Sequence, residues 1–106
     1  MLRNRSDFEA LGRLGTSRGN RLLVLRWRRT ERQETRVGLS TPRSLGSAVE
    51  RNRVRRRLRE LVRHSYEGLG PGWDVLVVAR PDAAAASWEE LREAFASLLR
   101  RAGMGR

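Results

Sequence analysis

The chain contains no cysteine and no lysine, and it has one histidine in 106 residues. Without cysteine, disulfides, thiolate metal sites and thiol nucleophiles are excluded together, and the composition fits a reducing cytoplasm. All 23 basic residues are arginine, and only 12 acidic residues oppose them, so the formal charge is +11. Nucleic acid is therefore the expected class of partner, because guanidinium groups bind phosphate bidentately and stack on bases.

Long hydrophobic runs are also missing. No segment approaches the roughly 20 apolar residues of a transmembrane helix, and the N-terminal residues MLRNRSDFEALGRL lack the features of a secretory signal. An anionic membrane surface is a weaker alternative partner, because the basic helix described next carries no Trp or Phe on its apolar face. The length predicts a single domain over residues 1–106, and we expect 1–5 and 102–106 to be flexible ends.

Residues 47–64, SAVERNRVRRRLRELVRH, predict a basic amphipathic helix, with seven arginines in the thirteen residues 51–63. Only Glu50 and Glu60 oppose these arginines, so we expect an external polyanion to compensate their repulsion. A merely basic, solvated face is the alternative. At about 100° per residue, the helix has a buried stripe, a polar stripe about 150° away and a third flank. These three sets are Val54, Leu58, Leu61 and Val62; Asn52, Arg56, Arg59 and Arg63; and Arg53 and Arg57.

Three capping boxes, each a Ser followed three residues later by Glu, predict three helix starts. They are Ser6 with Glu9, Ser47 with Glu50, and Ser87 with Glu90. The predicted helices run from Asp7 to about Leu11, from Ala48 to about Tyr66, and from Trp88 to about Arg101. The third helix should bury Leu91, Phe95, Leu98 and Leu99.

Alternating or continuous apolar residues predict strands over 21–27, 35–40 and 73–80. The last of these is nearly all apolar, so it should be a central strand covered by helices on at least one face. The resulting order, α-β-β-α-β-α, predicts an α+β sandwich in which helices pack on a small sheet.

No constellation of catalytic or metal-binding residues is evident. His64, the one imidazole, lies near the predicted end of the basic helix, where we interpret it as a cation that favours the helix C-terminus. The pair Glu89 and Glu90 opens the third helix, where the helix dipole accounts for acidic residues. We therefore predict no catalytic residue and no metal site in the protein.

Residues 49–60, VERNRVRRRLRE, resemble the RNR helix of the bacterial ribonuclease P protein subunit. Four further segments resemble that family in the same order. SDFE (6–9) is similar to its first helix, and GTS with NR (15–17 and 20–21) to the start of its sheet. RVGLS (36–40), followed by Gly46, Ala48 and Val49, is similar to the strand before the RNR helix and the entry to it, and WDVLVVAR (73–80) to a later strand.

The resemblance implies the protein subunit of a ribozyme that removes the 5′ leader from precursor tRNA, with the active site in the RNA. It also implies that the RNR helix contacts the catalytic RNA, and that a cleft between the first helix, the sheet face and the RNR helix binds the leader. The implied fold has the order α-β-β-β-α-β-α, with an added strand near Gly15 to Arg18 and a left-handed β-α-β crossover around the RNR helix. One protein per RNA, a cytoplasmic location, no cofactor on the protein and Mg²⁺ held mainly by the RNA are implied as well.

The site residues implied by the resemblance lie on the RNR helix and in the cleft. Of these, Phe8 would stack on a leader base, and an ordinary core role is its alternative. Arg26 and Trp27 are further cleft candidates, although Trp27 alternates with Leu23 and Leu25 as a core residue would. We expect the Arg56 stripe to face the leader and Arg53 to face the catalytic RNA. The RNA-binding candidates on the helix are Arg51, Asn52, Arg53, Arg55, Arg56, Arg59 and Arg63.

The chain departs from the family pattern at several positions. Gly12 and Arg26 stand where aromatic residues are usual, which predicts a more cationic cleft, in which the guanidinium of Arg26 could stack on a base. Ser47 replaces the usual Asn and can serve equally as a helix cap. A basic structural protein of the ribosome is the alternative function. A helix-turn-helix DNA regulator fits less well, because the sequence predicts three strands and no two-helix unit with a short turn.

Overall fold

The computed structural model describes residues 15–104. The first predicted helix, with its Ser6 and Glu9 capping box, and the residues Phe8 and Gly12 lie outside this part of the chain. Within it, four strands and two α-helices follow one another, with short 3₁₀ helices at Arg43–Leu45 and Pro81–Ala85. These elements are β1 (Thr16–Gly19), β2 (Leu23–Arg29), β3 (Arg36–Ser40), α1 (Ala48–Leu69), β4 (Trp73–Ala79) and α2 (Trp88–Ala102).

The four strands form one sheet in the order β1-β2-β4-β3. β1 pairs antiparallel with β2, β2 pairs antiparallel with β4, and β3 pairs parallel with β4. The chain passes from β3 through α1 to β4, because parallel neighbours need a crossover connection. The predicted central position of the apolar strand is confirmed, and so are the α+β architecture and the added strand near Gly15 to Arg18.

Both helices pack on the same face of the sheet, here called the helix face. On β2 this face carries Leu23, Leu25 and Trp27, which lie opposite Ala79, Val77 and Val75 of β4. The predicted stripes of both helices are buried against these residues, which confirms the two helical periodicities. The intervening residues of each strand point to the other side of the sheet, here called the second face.

The capping boxes at the starts of α1 and α2 are both formed. The backbone N–H of Glu50 donates to Ser47 Oγ across 3.2 Å, and the N–H of Ser47 donates to Glu50 Oε1 across 3.1 Å. The corresponding distances for Ser87 and Glu90 are 3.1 Å and 2.9 Å. These bonds satisfy backbone donors that the first helical turn leaves open, and so fix where each helix begins.

Two elements, α1 and β2, differ from the sequence prediction by more than one residue. α1 continues past Tyr66 to Leu69, because buried Leu69 anchors the last turn and Gly70, with φ +75°, is the residue that ends it. β2 is displaced by two residues from the predicted 21–27. Asn20 Oδ1 accepts hydrogen bonds from the N–H groups of Leu22 and Leu23, which makes a turn before the strand. No helix in residues 15–104 is long and apolar enough to cross a bilayer.

Candidate nucleic-acid interface

An arginine-lined groove of about 500 Å³ lies on the outer side of α1. Asn52, Arg56 and Arg59 are exposed there, whereas Arg55 is half-buried. The spacing of three and four residues brings these side chains to one side of the helix. The groove is lined by Val49, Asn52, Arg55, Arg56 and Arg59.

The rotation of α1 decides which arginines reach this groove. Val54 and Leu58 are wholly buried against the sheet, so the opposite side of the helix must face outward. Arg55 lies at the edge of the groove, where Nη2 donates a hydrogen bond to the hydroxyl of buried Thr41. Its guanidinium is thereby oriented before any ligand arrives, and its remaining N–H groups can still bind phosphate.

Three other predicted RNA-binding residues do not line the groove. Arg51 is half-buried, and its Nε is shielded from solvent with no hydrogen-bond partner within residues 15–104. Arg53 Nη2 donates to the carbonyl oxygen of Ala84 across 2.8 Å. Arg63 is exposed and forms an ion pair of 3.0 Å with Glu60. The structure thus brings together four of the seven predicted helix residues and places the other three elsewhere on α1.

The prediction that His64 stabilises the C-terminus of α1 is wrong. The helix continues to Leu69, and its last turn contains no basic residue. His64 Nε2 lies 3.3 Å from Glu60 Oε2, one turn earlier on the exposed surface of the helix. The cause of the error is the predicted helix end at Tyr66, which placed His64 too close to the terminus.

The two described cleft candidates, Arg26 and Trp27, point to opposite faces of the sheet. Trp27 is 8% exposed and belongs to the hydrophobic core on the helix face. Its side chain is therefore not available to stack on a base. The prediction that Trp27 lies in the cleft is wrong, and its alternative role as a core residue is the correct one. Arg26 lies on the second face and is half-buried. Its Nε is shielded from solvent and has no hydrogen-bond partner in the described part of the chain.

Sequence reasoning missed a buried ionic cluster on the second face, formed by Arg28, Asp74 and Arg36. Asp74 is fully buried, and its Oδ2 lies 3.0 Å from Arg28 Nη2 and 2.8 Å from Arg36 Nη2. Burial alone would raise the pKa of Asp74, but the hydrogen bonds from Arg36 and Arg28 outweigh it, so the pKa lies below its usual value. A lone acid within the apolar strand WDVLVVA was the available signal, because a buried carboxylate needs a partner.

Comparison with known proteins identifies the family to which this sequence belongs. A family model described as Ribonuclease P matches residues 1–103. This chain belongs to the ribonuclease P protein family. Curated relatives named ribonuclease P protein component include one from Herpetosiphon aurantiacus, 38% identical over 101 residues, which are 95% of this chain and 82% of that protein. Another, from a Roseiflexus species, is 38% identical over 104 residues, which cover 97% of this chain and 85% of the relative.

Solved structures of family members share the fold. The Staphylococcus aureus RNase P protein superposes with a TM-score of 0.90 at 25% identity, covering 99% of this chain and 96% of that one. The Thermotoga maritima RNase P protein gives a TM-score of 0.84 at 29% identity, covering 94% of each chain. Membership in this family implies partnership with the ribonuclease P RNA and a part in tRNA processing.

Proposed function

We propose that this chain is the protein subunit of ribonuclease P, which binds the catalytic RNA and the 5′ leader of precursor tRNA and so promotes removal of the leader. The observation that carries the proposal is the convergence of Asn52, Arg55, Arg56 and Arg59 on one groove of α1. This groove offers three guanidinium groups and an amide within a few helical turns, which suits the closely spaced phosphates of a folded RNA.

We assign the groove to the catalytic RNA and the second face of the sheet to the leader. The expectation from the sequence is the reverse, with Arg53 on the catalytic RNA and the Arg56 stripe on the leader. Arg53 and Arg57, however, each donate a hydrogen bond to a backbone carbonyl of the segment before α2. Arg56 and Arg59 are exposed and lie in the groove, so they are better placed to meet a large, folded RNA.

The role proposed for the protein is electrostatic and positional. Two polyanions, the catalytic RNA and precursor tRNA, must approach each other, and a chain of charge +11 between them lowers the repulsion that Mg²⁺ would otherwise screen. The RNA supplies the active site and holds most of the Mg²⁺ in this proposal. We further propose one protein per catalytic RNA and a cytoplasmic location.

Reconstitution with a bacterial ribonuclease P RNA and 5′-labelled precursor tRNA tests the proposal. The protein alone should not cleave, but it should raise the cleavage rate of the RNA at low Mg²⁺. Arg56→Gln/Arg59→Gln should weaken binding of the catalytic RNA and lower the salt dependence of log K by about 0.7–0.9 for each phosphate that the variant no longer binds. Arg18→Gln/Arg101→Gln, two exposed arginines outside the groove, is the control of equal charge. Specific cleavage by the protein alone that depends on His64 would contradict the proposal.

A further inference from the structure

Within the four strands, the second face of the sheet carries three arginines in two adjacent rows, and their electrostatic surroundings differ. One row runs across the strands through Arg28, Asp74 and Arg36. The next row on the same face, about 7 Å further along the strands, runs through Ser17, Arg26, Leu76 and Gly38. The first row contains a carboxylate between its two arginines, whereas the second contains no acidic residue.

Asp74 holds both of its arginines by direct hydrogen bonds. Arg28 donates from Nε and Nη2 to Oδ2 across 3.2 Å and 3.0 Å. Arg36 donates from Nε to Oδ1 across 2.9 Å and from Nη2 to Oδ2 across 2.8 Å. The side chains of Arg28 and Arg36 are 25% and 15% exposed. Either one could turn to a phosphate only by giving up its hydrogen bonds to a buried carboxylate, which is unfavourable.

Arg26 is in the opposite situation. Its row neighbours on β1, β4 and β3 are a hydroxyl, an aliphatic side chain and a glycine, so none of them neutralises the guanidinium. Its Nε is buried and has no hydrogen-bond partner in residues 15–104. A buried donor without an acceptor carries a desolvation cost, so no hydrogen bond at Nε holds this guanidinium in place. Because Arg26 as a whole is only half-buried, its guanidinium can reorient toward an arriving phosphate oxygen.

We infer that the ion pairs with Asp74 prevent Arg28 and Arg36 from binding RNA. Arg26 is then the arginine of the second face that binds a leader phosphate and fixes the position of the leader. This inference rests on the proposed function, and it adds which arginine of that face binds the leader and which two do not. A single phosphate contact is independent of base identity, so Arg26 would hold leaders of any sequence.

The test compares Arg26→Gln with Arg28→Gln in the reconstituted holoenzyme. Affinity is measured for precursor tRNA and for mature tRNA, and the ratio isolates the contribution of the leader. We expect Arg26→Gln to lower this ratio about tenfold and to reduce the salt dependence of log K by about 0.7, the value for one phosphate of a single strand. Arg26→Lys should retain most of the salt dependence, because it keeps the charge. Arg28→Gln should match the unmodified protein, because Arg36 still pairs with Asp74.

Asp74→Asn supplies the complementary measurement, because it releases the two arginines. If the variant folds, as checked by circular dichroism, the leader ratio and its salt dependence should both rise. If it does not fold, the comparison of Arg26→Gln with Arg28→Gln alone decides whether the inference holds. The inference is overturned if Arg28→Gln loses as much leader affinity as Arg26→Gln, or if Arg26→Gln loses none. Either result leaves the proposed function intact as long as the variants still bind the catalytic RNA. If the unmodified protein did not bind the catalytic RNA, the proposed function itself would be overturned.

Discussion

Arg57 Nη1 donates a hydrogen bond to the carbonyl oxygen of Ala86 across 3.0 Å and so joins α1 to the segment that leads into α2. Arg53, one turn earlier on the same flank, makes the equivalent bond to Ala84. This flank of the arginine-rich helix is therefore an internal contact of the fold, whereas the flank of Arg56 and Arg59 faces outward. The dense arginine run thus combines two roles that the sequence alone does not separate.

The two flanks should respond differently to the loss of charge. We expect Arg57→Gln to lower the free energy of unfolding by about 1 kcal/mol, because a half-buried hydrogen bond to a backbone carbonyl is lost. Arg56→Gln should change stability by less than about 0.5 kcal/mol but weaken RNA binding. Urea unfolding and equilibrium binding of the catalytic RNA measure the two effects. Equal stability losses in both variants would contradict the division of the helix into two flanks.

The capping box of α2 should be a measurable source of stability. Ser87→Ala removes the oxygen that accepts the N–H of Glu90, and we expect a loss of about 1 kcal/mol. Ser97→Ala, within the same helix and not at its cap, is the matched control and should be neutral or slightly stabilising, because alanine has the higher helix propensity. Thermal unfolding of both variants makes the comparison. A cost at Ser97 as large as that at Ser87 would show that hydroxyl loss in general, and not the cap, is responsible.

Asp74 should contribute to the loss of stability in acid. Its pKa is lower in the folded protein than its usual 3.8, so its contribution is fully present above that value and is lost as pH falls through the folded pKa. The difference in unfolding free energy between the unmodified protein and Asp74→Asn should therefore be constant near neutral pH and shrink below about pH 4. Glu50 and Glu90, whose hydrogen bonds with Ser47 and Ser87 also lower their pKa values, remain in both proteins and cancel in the difference.

The control for this experiment is Glu31→Gln, at an exposed carboxylate in the turn between β2 and β3. Denaturant unfolding of the three proteins across the acid range gives the required free energies. A difference between the unmodified protein and Asp74→Asn that stays constant down to about pH 2.5 would show that the buried carboxylate does not drive the acid transition.

Periodicity predicted the helices and their buried sides, because Val54 and Leu58 or Leu91 and Phe95 recur at helical spacing and must meet one core. The ends of elements were harder to predict. β2 extends to Arg29 because Arg28 meets Asp74 and the guanidinium of Arg29 lies 4.5 Å from the ring centroid of Trp73. These partners are more than forty positions away in the chain, so the sequence around β2 does not predict the contacts.

The candidate site was predicted in the same uneven way. The stripe of Asn52, Arg56, Arg59 and Arg63 follows from helix geometry alone. The structure places the first three in one groove, whereas Arg63 forms an ion pair with Glu60. The hydrogen bonds of Arg53 and Arg55 depend on where the backbone of Ala84 and the hydroxyl of Thr41 come to lie. Such partners are set by tertiary packing. The sequence therefore identifies the arginines, but it does not show which of them bond within the fold and which line the groove.

Anions should stabilise the folded protein through the groove of α1. Seven arginines within thirteen residues repel one another, and an anion that binds the folded cluster but not the unfolded chain relieves that repulsion. Millimolar sulfate, phosphate or citrate should therefore raise the melting temperature more than chloride does at the same ionic strength. A hundredfold excess over the dissociation constant corresponds to about 2.7 kcal/mol, and each kcal/mol to about 4–8 °C in a domain of this size.

Arg56 and Arg59, the groove arginines that make no side-chain hydrogen bond within residues 15–104, are the ones to test. Arg56→Gln/Arg59→Gln should reduce the increment from sulfate, because both exposed side chains line the groove. Arg18→Gln/Arg101→Gln removes the same charge from exposed positions elsewhere and should retain the increment. If both double variants respond to sulfate as the unmodified protein does, or if chloride at matched ionic strength stabilises equally, general screening accounts for the effect and the groove is not a specific phosphate site.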